Sequence, residues 1–180
     1  MKRLVDFLTD DSGTAPIEFV LVFPIIFLIF TASFESSMYM ARQVMLERGL
    51  DRTVRGIRLG LFEGMSHEDL KRRICSSGIL VGSIGTCVNS MKIWMQPVNT
   101  GDFAMVAPPK VCVDNAEEIN VDEPSADEFA YGGDNDIMLM RICLKETPMF
   151  PTTAISVKMP VEPDGTYVLA ATTVFVNEPG

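Results

Sequence analysis

The chain divides at its hydrophobic pattern. From Thr14 to Phe34 the positions are almost all apolar, and Glu18 is the only charged residue among the 21. At 1.5 Å per residue, a helix of that length spans roughly 30 Å, the thickness of a bilayer core. Beyond it the pattern becomes periodic. Phe34, Met38, Ala41 and Met45 recur at helical spacing, followed by Leu46, Leu50, Val54, Ile57 and Leu61. Arg42, Glu47, Arg48, Asp51, Arg52, Arg55 and Arg58 take the other positions, with Asp51 and Arg55 four apart. The spacing predicts one helix from about Thr14 to Phe62, roughly 70 Å long, with its first half in lipid and its second against a folded body. Pro24 lacks an N–H and crowds the Val20 carbonyl, so a kink is expected there. Gly56, Gly60 and Gly64 weaken the helix and read as its fraying end.

A second, shorter helix is expected from "SHED", Ser66 to Asp69, to Cys75, because Ser66 and Asp69 have the spacing of a capping box. His67 then falls in a first helical turn. The remainder alternates as strands do: "NSMKIWMQPV", "DFAMVA", Asp136–Lys145, Ile155–Pro160 and Tyr167–Asn177. Asp164-Gly165 within "EPDGT" suits a tight turn between the last two. Met138, Met140, Ile142 and Leu144 share one face and are expected to cover the long helix. The predicted fold is α+β, a long N-terminal helix packed on a small antiparallel sheet. It divides into a leader at 1–13, the long helix at 14–64 with its span at about 14–34, and an exported body at 65–180.

Charge narrows the function. The chain carries a net −9. Residues 74–180 hold five basic and fourteen acidic side chains, the reverse of the basic surface that neutralises nucleic-acid phosphates. Asp114–Asp136 contains nine acidic residues and no Lys or Arg. Asp134 and Asp136 invite a calcium reading, but the order D-x-[DN]-x-[DN]-G is missing, and a solvated connection is expected instead. Cys75, Cys87, Cys112 and Cys143 all follow the apolar run and form no C-x-x-C pair, and His67 is the single histidine, so zinc ligation is not expected. An even count on one side of a span points to two disulfides in an oxidising compartment, with four buried free thiols as the alternative. Of three possible pairings, the nearest-neighbour set Cys75–Cys87 with Cys112–Cys143 is the expected one. "GILVGSIG" is neither a dinucleotide fingerprint nor a nucleophile elbow, and no Ser or Cys has an evident base. No enzyme activity, cofactor or metal is expected.

Three readings of the apolar segment compete. A secretory signal cleaved at "TAS", Thr31–Ser33, wants a basic leader, but Lys2 and Arg3 are outweighed by Asp6, Asp10 and Asp11. A plain uncleaved anchor, displaying an acidic binding domain in the periplasm, leaves Glu18 incidental. A cut after Gly13 uses each of these features. Thr14 becomes the N-terminus and Glu18 the fifth residue, about one helical turn from a new ammonium group. A carboxylate at a helix centre in lipid costs about 2.5–3.5 kcal/mol, less near its end, and an amine offsets that cost.

"SGTAPIEFVLVFPIIFLIF" resembles the N-terminus of class III prepilin-like proteins: Gly, four residues, Glu, Phe, then an apolar helix carrying a proline. More narrowly, the chain is similar to the TadE/TadG-like family, minor pseudopilins of the Flp (Tad, tight adherence) pilus. "ESSMYMARQVMLERGLDRTVRGIRLG", "RRICSSGIL…GTC…MKIWMQPV", "DIMLMRICLK" and "LAATTVFVNEP" resemble its later segments in order. The resemblance implies a pilin-like fold and processing by a membrane prepilin peptidase. Gly13 would precede the cut, Thr14 would be the new N-terminus, Glu18 the recognition and assembly carboxylate, and Phe19 its apolar neighbour. Pro16 departs from the small residues usual there, at a first-turn position where proline is tolerated. The implied partners are the peptidase, other Flp/Tad pseudopilins and the major pilin, the inner-membrane assembly platform and lipid. The implied location is the bacterial inner membrane, with the N-terminus cytoplasmic and the body periplasmic or in the filament. The implied role is pilus biogenesis, priming or tip formation, and through it surface adhesion.

Overall fold

The computed structural model describes residues 14–62, 64–77, 83–101, 112, 129–151, 161 and 164–178. The expected leader, Gly13, the expected strands at 102–107 and 155–160, and most of the acidic stretch lie outside the described residues. Within them the order is α1 (Thr14–Arg58), α2 (His67–Ser76), α3 (Ile84–Asn89), β1 (Met91–Pro97), β2 (Ile137–Glu146) and β3 (Tyr167–Val176). The fold is α+β, with one helix long and apolar enough to cross a membrane.

α1 is a 45-residue helix, about 68 Å at 1.5 Å per residue. It is continuous through Pro24. Ile17 to Phe30 stand out from the body, with every large apolar side chain exposed. The helix ends at Arg58, short of Gly64, and its end is capped, not frayed. Gly60 has φ +66°, its N–H donates to the Ile57 carbonyl at 2.9 Å, and the Leu61 N–H donates to the Gly56 carbonyl at 3.0 Å. That pair of bonds is the Schellman motif, in which a left-handed glycine satisfies carbonyls the helix would leave open. Gly56 has its own reason: the Phe62 ring folds back onto it, in the space a Cβ would fill. Leu61 therefore points outward at 69 % exposure instead of continuing the buried stripe.

The sheet is antiparallel in the order β1-β2-β3. Its register sets Met95 opposite Met140, and Ile93 opposite Ile142 and then Ala171, while Leu144 pairs with both Met91 and Leu169. Alternation puts these on one face, where they form a core with Leu46, Leu50, Val54 and Ile57 of α1 and Leu70 and Ile74 of α2. The stripe is shifted from the expected one. Phe34 is exposed, and Met38, Ala41 and Met45 only flank the contact, because the buried face runs through Glu35, Arg42 and Leu46.

α2 begins as its sequence predicts: Ser66 Oγ accepts from the Asp69 N–H at 3.1 Å. His67 packs edge-on against Phe129, and its Nε2 lies 3.2 Å from the Ile93 carbonyl, so it joins helix to sheet. Disulfides join Cys75 to Cys87, linking α2 to α3, and Cys112 to Cys143 on the outer face of β2. At the other end of β3, Gly165 turns with φ +80°, and Val161 bridges Tyr167 antiparallel.

Candidate functional site at the helix–body junction

α1 follows β3 in the same direction. Arg42 meets Tyr167 at the start of the strand, Gln43 Nε2 donates to the Ala170 carbonyl at 2.9 Å, and Arg58 pairs at 2.9 Å with Glu178 just past its end. The exposed apolar half of α1 therefore emerges beside the end of β2, the start of β3 and the loop after Glu146.

At that junction lies a buried polar cluster. Glu35 is 0 % exposed. Its carboxylate accepts the Met149 N–H on both oxygens, at 3.2 and 3.1 Å, and the Phe150 N–H at 3.1 Å. Removing a carboxylate from water is costly unless such donors replace it, and here a loop backbone does so. Arg42, two turns on, donates to the Thr147 carbonyl at 3.2 Å and to the Tyr167 hydroxyl. Glu146 lies 3.9 Å from it. Between them Tyr39 packs edge-on against Tyr167 at 5.3 Å. Burial pushes the Glu146 carboxyl above its ordinary range, with Arg42 pulling the other way. Burial likewise raises the Tyr167 phenol, so it stays neutral and can accept from Arg42.

The cluster fixes α1 rotationally against the body. A helix held by apolar contacts alone can slide or turn at small cost. Two buried charges bonded to a particular loop penalise every other setting, because each would leave them unpaired in low dielectric. The helical spacing of the apolar residues sets Arg42 off their stripe and gives Glu35 no place in it. The available signal was phase: Thr31, Glu35, Arg42, Leu46 and Thr53 share one helix face, so polar residues continue the buried stripe toward the exposed apolar half of α1.

The other predicted residues lie on the exposed half. Thr14 opens α1, and Gly13 is outside the described residues. Glu18 is exposed, and none of the described residues bonds to its carboxylate. Phe19 stacks on Phe23 at 5.2 Å, and Phe23 on Phe27 at 5.8 Å, a ridge along the same half. Glu18 and the Glu35–Arg42 cluster are thus separate features on one helix. Among the described residues, no three His, Cys, Asp or Glu side chains converge as metal ligands. Asp136 instead accepts the Gly133 N–H at 2.7 Å in the turn before β2.

Residues 13–55 match the family described as TadE-like protein. Over that stretch, about a quarter of its length, the chain is similar to that family. The TadE-like segment starts at Gly13, takes in the exposed apolar half of α1, and continues through Glu35 and Arg42 to Arg55. It therefore contains the whole helix side of the junction, while the sheet and both disulfides lie beyond it. Comparison with curated proteins and with solved structures returned no match.

Proposed function

We propose that this protein is a single-pass, non-catalytic minor pseudopilin or assembly factor of a Flp/Tad pilus. A prepilin peptidase cuts it after Gly13, and it acts in pilus biogenesis, priming or tip formation, and so in surface adhesion. The TadE-like match over residues 13–55 carries this reading. The structure supports it in two ways. Glu18 stands exposed near the start of a helix whose first half is bare apolar surface, where an α-amine is the natural offset for its charge. The second half is locked to a disulfide-bonded body, so that force on the helix reaches the body through a defined contact. Cystines suit an oxidising compartment, which supports a periplasmic setting for the body. The partners on this reading are the peptidase, neighbouring pseudopilins, the major pilin and the membrane platform.

Deletion of the gene followed by complementation tests the proposal. The wild-type chain restores surface pili and surface attachment, whereas Gly13→Ala and Glu18→Ala variants, present at equal level, restore neither. Full pilus output from the deletion strain, or from both variants, contradicts it.

A further inference from the structure

The loop after β2, Thr147–Pro151, reads "TPMFP", and the sequence carries no charged residue from Thr147 to Val157. Its position beside the apolar run gives that lack of charge a consequence. Glu35, which captures the loop through the Met149 and Phe150 N–H groups, directly follows the last residue of the apolar run. One turn further toward that run, Thr31 is only 3 % exposed, although no other residue from Pro16 to Phe30 is covered. The body therefore overlaps the final turn of the apolar stretch. Met149 is 50 % exposed, and the Phe150 ring meets Phe34 edge-on at 6.1 Å. Phe34 stacks in turn with Phe30 at 6.4 Å. The Glu35 charge, which would otherwise oppose any apolar setting at this level, is turned inward and bonded.

We infer that Thr147–Pro151 is a lipid-contact loop: Met149 and Phe150, continuous with Phe30 and Phe34, sit in the headgroup–acyl boundary of the bilayer that α1 crosses. The partner is the lipid surface itself, recognised by apolar and aromatic side chains of the kind that occupy membrane interfaces. The body then rests on the membrane with a fixed tilt instead of standing clear on its helix. The inference rests on α1 being a membrane span.

The test uses the full-length protein reconstituted in phosphatidylcholine vesicles, with its single tryptophan removed by Trp94→Phe. Single reporters are then placed as Met149→Trp, Phe150→Trp, Ile25→Trp and Leu61→Trp, with quenching by lipids brominated near the headgroup or near the chain ends. The expected result is that Ile25→Trp is quenched by the deep bromines. Met149→Trp and Phe150→Trp are quenched by the shallow ones, with emission shifted blue, and Leu61→Trp at the distal pole is unaffected. Quenching at Ile25 without quenching at either loop position overturns the lipid-contact loop and leaves the span standing. Loss of quenching at Ile25 overturns both.

Discussion

Glu35 and Arg42, two turns apart on one face of α1, hold the two peptide ends of a single loop. Glu35 receives the N–H groups of Met149 and Phe150, and Arg42 donates to the carbonyl of Thr147. Removing either therefore strands buried partners. Glu35→Ala leaves two loop N–H groups without their acceptor, and a loss of about 1–3 kcal/mol is expected, whereas Glu35→Gln keeps one acceptor oxygen and loses less. Arg42→Ala leaves Glu146 half-buried without its cation and is expected to cost about 3 kcal/mol. Because both act on one loop, the double variant should fall short of the sum by about 0.5 kcal/mol or more. Denaturant unfolding in detergent measures all four, and strict additivity of the two alanine variants contradicts a shared loop.

Gly56 is a close-approach position. Gly56→Ala drives a methyl into the Phe62 ring and is expected to cost about 1–3 kcal/mol. Phe62→Leu in that background should recover part of the loss, which helix propensity alone, favouring Ala over Gly, would not explain. The thermal midpoints of the wild type, Gly56→Ala, Phe62→Leu and the double variant check this.

Asp164 ties β3's turn to β2. Its carboxylate accepts the Thr166 N–H at 3.0 Å and the Thr166 hydroxyl at 2.5 Å, and lies 3.2 Å from Lys145 Nζ. The Thr166 bonds foremost, with Lys145, lower its pKa from 3.8 to about 2. A folded pKa below the unfolded one gives stability that is complete above 3.8 and is lost as the pH falls toward about 2. Glu146, raised by burial, has the opposite sign: its contribution is greatest below 4.5 and declines as the pH rises through its folded value. Unfolding midpoints of the wild type should drop between about pH 4 and pH 2 more steeply than those of Asp164→Asn. Equal slopes contradict the assignment.

The Cys75–Cys87 bridge closes a loop of 12 residues between α2 and α3. Replacing both cysteines with alanine is expected to cost about 2–3 kcal/mol on the chain-entropy account. Non-reducing peptide mapping should recover Cys75 with Cys87 and Cys112 with Cys143; crossed pairs contradict the arrangement of α2, α3 and β2.

The long helix, the α+β class and the three described strands were legible because each follows from simple periodicity. Met138, Met140, Ile142 and Leu144 alternate and are all buried, and Ser66 caps the helix its spacing predicts. The helix end was misread because a Gly four residues from another looks like weakness, while the Schellman bonds and the Phe62 contact are tertiary facts. The junction was illegible for a related reason. Charged residues normally mark the wet face of a helix, and only the position of a distant loop reveals that Glu35 and Arg42 belong to the buried one. Glu18 stood out because its surroundings are local: a carboxylate amid apolar neighbours is conspicuous without any fold.

On the proposed processing, α1 begins as a new N-terminus one helical turn from Glu18. Purification of the protein from membranes, followed by determination of its N-terminal residue, tests this most directly. Thr14 is the result predicted by processing after Gly13; Met1 would make the protein an uncut anchor and contradict the account.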